Sequence, residues 1–317
     1  MPSEAAPILK WAGGKRQLLD AIYARFPDDY DTYHEPFLGG GAVFFDLEPD
    51  QATINDVNPR LINFYRQVRD RPEALIDRLH GFDGRESEPD PNLEYAETTA
   101  RDASVDEYYY QQRARFNRRA YADEPFPSTE RERLEEAALL LYLNRTGFNG
   151  LYRENNQGGF NVPKGRYDNP DWVQADRIRA AAPVLADADL RNEDFAYVRE
   201  AATVGDLVYF DPPYEPESAT ADFTAYDADG FDRDDQLRLL RVARDLGARG
   251  VHVIVSNSGV MYDRYDSAGF TVSHTGAARS INSDPDGREE VDEIIATTVP
   301  PEEWAAPATA EAMGWSA

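Results

Sequence analysis

The most constraining stretch of this 317-residue chain is Leu207-Val208-Tyr209-Phe210-Asp211-Pro212-Pro213-Tyr214. Four apolar or aromatic residues in a row read as a short buried strand. Pro212 and Pro213 end it, because a proline cannot donate to a sheet ladder. Asp211 is thereby presented at the carboxyl edge of a strand, where open α/β sheets place their ligand crevices. The residue types there fit an exocyclic amine on a heteroaromatic ring. Asp211 accepts from the amine, the carbonyls around the prolines are further acceptors, and Tyr214 offers a flat face for stacking. The plainer alternative is a strand closed by a proline turn, with Asp211 as a cap.

The amino-terminal half supplies the rest of a nucleotide-type fold. Residues 8–16 place two glycines among Lys10, Lys15 and Arg16, with Trp11 between two of the chain's three lysines. A helix is expected from Gln17 to about Phe26. Tyr33 to Phe37 reads as a strand, Leu38-Gly39-Gly40-Gly41 as a turn, and Ala42-Val43-Phe44-Phe45 as a helix start. Thr53-Ile54-Asn55-Asp56 is a second strand ending in an acid, about 20 residues after Phe37, where a carboxylate can take a ribose hydroxyl pair. The triple glycine lacks the spacing of a dinucleotide fingerprint, so the ligand expected is a nucleoside.

Asn58-Pro59 is an N-cap with proline at the first helical position, and Leu61, Ile62, Phe64, Tyr65 and Val68 continue as an amphipathic helix. Residues 81–106 are polar and read as a surface insertion, and 107–121 as a second helix carrying Arg113, Arg115, Arg118 and Arg119. Thr129-Glu130-Arg131-Glu132 is a capping box before a strong helix through Leu143. Further strands are expected over 189–195, 251–257, 270–272 and 291–298, the last two antiparallel. Asp232 should cap a helix of about 13 residues closed by Gly247. Arg279 to Gly287 reads as a polar loop.

Between Asn144 and Arg166 aromatics, asparagines and cations alternate with glycines, as in a loop that meets nucleic acid. Arg145, Arg153, Lys164 and Arg166 stand against Glu154 alone, a local charge of +3. That sign matters because the whole chain holds 59 Asp and Glu against 33 Lys and Arg, a net charge of -26, and a polyanion repels DNA. An acidic surface nearly stripped of lysine fits a protein working in molar salt, where the Debye length is about 3 Å. We therefore expect a halophilic cytoplasm. The chain has no cysteine, which excludes disulfides, thiolate metal sites and a cysteine nucleophile. The four histidines show no metal-ligand spacing, so no metal is expected. No apolar run reaches the ~18 residues of a membrane span, and the first residues are not those of a signal peptide.

Taken in order, these motifs resemble the Dam-type, D12 class of DNA adenine-N6 methyltransferases. The resemblance runs from about Leu9 to Thr297. It rests on LKWAGGK, EPFLGGG, Asp56, LYLNRTGFNG with GGFNVPKGRY, DPPY with Phe223-Thr224-Ala225-Tyr226 downstream, and Arg279-Ser280-Ile281. It implies a Rossmann-like class I methyltransferase α/β sheet over 1–58 and 176–317, binding S-adenosyl-L-methionine. A mainly helical target-recognition domain would be inserted at 59–175. Trp11, Lys15, Phe37, Gly39, Gly41, Asp56, Phe195 and Asp211 fall on cofactor positions, and Asp211, Pro212, Pro213 and Tyr214 on the catalytic pocket. Lys10, Arg145, Phe148, Asn149, Leu151, Arg153, Pro163, Arg166 and Arg279 fall on positions used for double-stranded DNA, Arg153 on the guanine reader.

A 5′-GATC-3′ site is the implied target, with the adenine flipped into the pocket and methylated by direct displacement. A monomer is expected, either solitary or partnered with a restriction endonuclease. Three departures stand out: Phe148 replaces a tyrosine, Glu289-Glu290 stands where the family tends to be basic, and 81–106 is long and acidic. The alternatives are an amine methyltransferase acting on RNA or protein glutamine, and a silent DNA-binding module.

Overall fold

A computed structural model describes residues 5–11, 13, 15, 17–82, 108–121, 126–214, 231–275 and 293–304. In chain order its elements are α1 (Leu19–Tyr23), β1 (Tyr33–Glu35), α2 (Ala42–Leu47), β2 (Ala52–Asn55), α3 (Pro59–Asp70), α4 (Pro72–His80), α5 (Tyr108–Tyr121), α6 (Glu130–Thr146) and α7 (Ala175–Leu185). There follow β3 (Asp189–Arg191), α8 (Val198–Ala201), β4 (Leu207–Phe210), α9 (Arg233–Ala248), β5 (His252–Ser258), α10 (Tyr262–Ser267), β6 (Thr271–Thr275) and β7 (Glu293–Thr297).

The strands form one seven-stranded sheet in the order β3-β2-β1-β4-β5-β7-β6. The first five run parallel, and β7 lies antiparallel between β5 and β6. This is the class I methyltransferase arrangement. Strand order reverses between β1 and β4, so the connections leave in opposite directions there and open a crevice at the carboxyl edge.

Strand alternation sorts the core into two layers. Leu207, Tyr209, Ile254 and Ile295 point into one, with Phe44, Leu61 and Leu140. Val208, Phe210, Val253, Val255, Ile294 and Ala296 point into the other, with Leu239, Val242 and Leu246 of α9. Because both faces are covered, β4 is apolar at every position. The first layer continues without a break from the sheet into the helices between β2 and β3. There α6 is buried almost continuously from Glu136 to Asn144, as expected of a helix surrounded by α3, α4 and α5. Its one buried acid, Glu136, meets Arg60 of α3 at 3.3 Å, and the Arg60 guanidinium sits 4.0 Å over the Phe116 ring of α5.

The local signals for helix starts hold. Asn58 accepts from the N–H groups of Arg60 and Leu61 at 2.9 and 3.3 Å, and the Thr129–Glu132 capping box is present. Other boundaries move. The first helix is confined to Leu19–Tyr23. The stretch after β3 leaves the sheet at Asn192, and Asp194 caps a 3-10 turn over Phe195–Tyr197. Helix α9 has 16 residues and runs through Gly247. A Cβ at Gly247 would lie 2.6 Å from Thr298, so this glycine serves close packing inside the helix. Helices α4 and α10, of nine and six residues, are too short for periodicity to reveal, and α7 carries Pro183 inside it, a residue that reads as a helix breaker. Most of 81–106, Phe223 to Tyr226, Arg279 to Gly287 and Glu289-Glu290 lie outside the described residues. Among those described, no helix is long and apolar enough to cross a membrane, and no His, Cys, Asp and Glu cluster could hold a metal ion.

The capping box at the start of α6 is exposed and makes a clean test of local stability. Thr129→Ala should lower the unfolding free energy by about 1 kcal/mol in urea titration, with an unchanged m value.

Candidate active site and nucleic-acid interface

Four parallel strands each deliver a candidate residue to the same edge. Phe37 and the glycine turn follow β1, Asp56 follows β2, Phe195 follows β3, and Asp211 follows β4. Asn55 ties the segments after β1 and β3 to the end of β2, because its amide donates to the Pro36 and Glu193 carbonyls, both at 3.0 Å.

The glycine turn is held by polar contacts from two directions and runs straight into a helix. The Gly39 N–H donates to Asp56 at 3.0 Å, the Tyr65 hydroxyl donates to the Gly39 carbonyl at 3.1 Å, and Gly41 leads into α2. Gly39 has φ +49, and a Cβ there would lie 2.9 Å from the Trp11 ring. Only glycine meets both demands. Trp11 also stacks on Tyr152, with centroids 5.1 Å apart and planes at 25°. Beside the turn, Phe37 stacks on Phe195 at 5.3 Å, and the Arg238 guanidinium covers Phe195 at 4.2 Å. Val57, next to Asp56, is 60% exposed.

Asp211 and Lys15 form an ion pair at 3.0 Å. The Lys15 ammonium also donates to the Gly13 carbonyl at 2.9 Å and lies 4.6 Å over the Tyr214 ring. Burial opposes the lysine charge, but attraction to Asp211 and Tyr214 outweighs it and holds Lys15 above the ordinary lysine range. Burial likewise pushes Asp211 up to about 6, against the pull of Lys15 and with a smaller push from Glu293. Glu35, fully enclosed at the end of β1, is driven up to about 8 by burial, although the Tyr33 hydroxyl donates to it at 2.8 Å. Pro212 is buried and Pro213 is exposed.

A second group of candidates lies on the segment after α6. Gly147 pairs with Lys164 and Glu154 with Phe160 in a short antiparallel hairpin. Phe148 is 42% exposed at its root and donates its N–H to the Pro163 carbonyl at 2.9 Å. Exposed Asn149 takes φ +53. Gly150 takes φ +67, and a Cβ there would lie 2.3 Å from the Lys10 side chain. Leu151 and Pro163 are half-buried, while Arg153 and Arg166 are exposed. The Arg153 Nε donates to Asn161 at 2.7 Å. Lys10 joins the hairpin through Asn144, which accepts its N–H and donates to its carbonyl, both at 2.8 Å. The Lys10 ammonium sits 4.8 Å over the Tyr167 ring. Arg145 turns inward: it donates to the Ile8 carbonyl and, at 2.9 Å, to Gln174, and burial lowers it to about 10. Arg279 lies outside the described residues.

Residues 11–281 match the model of the D12 class N6 adenine-specific DNA methyltransferases. The chain belongs to this class of DNA methyltransferases. It is 38% identical over 293 residues to the Type II methyltransferase M1.LlaDCHI of Lactococcus lactis subsp. cremoris, covering 92% of this chain and 94% of that one. It is 34% identical to the Type II methyltransferase M.MjaIII of Methanocaldococcus jannaschii, covering 90% and 96%. It is 35% identical to the DNA adenine methylase of Escherichia coli strain K12, covering 92% and 95%. Enzymes of this class use S-adenosylmethionine as methyl donor. Trp11, the Gly39 turn and Asp56 stand together at the carboxyl edge: the Trp11 ring packs where a Cβ at Gly39 would lie, and the Asp56 carboxylate accepts the Gly39 N–H. A glycine turn with a carboxylate beside it is the kind of donor and acceptor set a nucleoside group takes.

Several residues of the site escape sequence reading. Glu35 looks like an ordinary strand end, and Tyr152 looks like one aromatic among many. Gln236 is the exception with a signal: a glutamine on the apolar face of α9, aligned with Leu239, Val242, Ala243 and Leu246.

An ionised Asp211 is the form that accepts from an amine. With its carboxyl raised to about 6, the neutral form gains as pH falls through that value. The kcat/KM for methyl transfer should therefore drop on the acid side of about pH 6, which a pH–rate profile on duplex DNA checks.

Proposed function

We propose that this methyltransferase flips its target adenine out of a duplex and methylates N6 in the pocket formed by Asp211, Pro212, Pro213 and Tyr214. The observation that carries the reading is the half-buried carboxylate at the edge of β4, paired with buried Lys15, whose ammonium also covers the Tyr214 ring. Adenine N6 is a weak nucleophile, because its lone pair is delocalised into the ring. Acceptance of its hydrogens by Asp211 and the Pro212 carbonyl localises that pair on nitrogen. Tyr214 restores part of the stacking lost on flipping, which costs a few kcal/mol. Bound S-adenosylmethionine supplies an electrophilic methyl group. The chain supplies position and electrostatics, and needs no covalent enzyme intermediate.

Trp11, Lys15, Phe37, Gly39, Gly41, Asp56 and Phe195 hold the cofactor in this reading, and residues 59–175 read the DNA. The hairpin after α6 offers an exposed aromatic wedge at Phe148 and an exposed fork at Arg153. The fork suits the O6 and N7 acceptors of guanine, and with the family resemblance it favours 5′-GATC-3′. Lys10, Asn149, Leu151, Pro163, Arg166 and Arg279 complete the proposed DNA face. Arg145 acts there through the Ile8 carbonyl and so orients Lys10. The acidic, lysine-poor surface supports work in molar salt, where phosphate contacts weaken and stacking with base-edge bonds carries more of the affinity.

Asp211→Ala should abolish turnover, while calorimetry finds cofactor and DNA binding retained. Near-wild-type turnover would overturn the pocket reading. Arg153→Ala should lower discrimination at one guanine by about 1–3 kcal/mol, read as comparable kcat/KM on the cognate site and on a duplex substituted at that base. Unchanged discrimination would remove Arg153 from the reader.

A further inference from the structure

The Asp-Pro-Pro-Tyr turn is held from outside by a buried side chain. Gln236 of α9 is fully buried, on a helix face whose other members are apolar. Its amide nitrogen donates to the Pro213 carbonyl at 2.8 Å. Its oxygen accepts from the Asn257 amide at 2.9 Å, and the Asn257 oxygen accepts the Ser258 N–H at 2.9 Å. The chain of bonds has a single direction, because each end is fixed: the Ser258 N–H only donates and the Pro213 carbonyl only accepts.

Proline chemistry gives this contact its meaning. The rings of Pro212 and Pro213 lock φ near about -65°, and neither residue has an N–H. The soft torsion left at Pro213 is ψ, and the direction of its carbonyl reports that angle. Fixing the carbonyl fixes the peptide plane from which Tyr214 departs. Asn257 is the last residue but one of β5 and Asp211 is the first residue after β4, and the two strands are paired in register up to Phe210 and Val255. The strut thus refers the turn to the same rigid edge that carries the carboxylate. A leucine in place of Gln236 would fill the face without cost to the apolar stripe, whereas a buried amide is tolerated only when both its ends are paired.

We infer that Gln236, oriented by Asn257, is a positioning residue for methyl transfer. It sets the Pro213 carbonyl, and through it the Tyr214 ring relative to Asp211. This rests on the reading of Asp211 to Tyr214 as the pocket for the target base.

The test is single-turnover methyl transfer at saturating duplex and S-adenosylmethionine, with the full-length chain and its Gln236→Met, Asn257→Ala, doubly substituted and Asp211→Ala variants. Cofactor dissociation constants and melting temperatures are measured alongside. Gln236→Met should slow the chemical step by about 10- to 100-fold, with the cofactor constant within about twofold of wild type. Asn257→Ala acts from the far end of the strut and should slow the same step. The double variant should fall no further than the slower single one.

A wild-type rate in either folded single variant overturns the inference. So does a loss lying wholly in cofactor or DNA binding, or a failure of both variants to fold, which would make the strut a matter of stability alone. Asp211→Ala separates the two readings. A normal rate there overturns the pocket itself, whereas its inactivity beside a normal Gln236→Met rate overturns only the positioning role.

Discussion

The ion pair between Lys15 and Asp211 ties the amino-terminal arm to the edge of the sheet, and both candidate sites depend on that arm. Within residues 8–15, Arg145 and Asn144 hold the backbone at Ile8 and Lys10. Trp11 fits between the glycine turn and Tyr152, and Lys15 ends on Asp211. One short segment therefore touches the hairpin after α6, the turn after β1 and the carboxylate after β4. Lys15 is buried and Asp211 half-buried, so removing Asp211 would leave the enclosed ammonium without its counter-charge. Such a pair fixes where the arm must end.

What the sequence reveals is what can be encoded locally. The Pro-Pro stop after Phe210, the glycine turn before Ala42 and the acid after Asn55 all act on their own neighbours. The edge of the sheet can thus be read before its order is known, and the seven-stranded class I sheet follows the expected α/β pattern. Elements bounded by tertiary contact escape that reading. Gly247 looks like a helix stop and is instead a packing position against Thr298. Phe195 looks like part of a strand, but Asp194 draws it into a turn. Gln236 stands out only as a polar residue on an apolar face, and its partners at Pro213 and Asn257 are known only from the fold.

Charge follows the same division. The net charge of -26 describes the surface as a whole, while the proposed recognition depends on where a few cations sit. Arg153 and Arg166 are exposed on the hairpin, and Lys10 is held beside it by Asn144 and Tyr167. Local composition alone gives Arg145 the same weight as these. Its inward bonds to Ile8 and Gln174 belong to residues distant in sequence, and they make it a brace for the arm.

The central claim is that this arrangement methylates adenine N6 at a site read by the hairpin. The most direct measurement is single-molecule sequencing of an unmethylated plasmid after incubation with the protein and S-adenosylmethionine in about 2–3 M KCl, a range chosen on the proposal of work in molar salt. N6-methyladenine confined to 5′-GATC-3′ is the expected result. Methylation at a different motif would contradict the reading of Arg153 and its neighbours, and a folded, cofactor-binding protein that leaves the plasmid unmethylated would contradict the account as a whole.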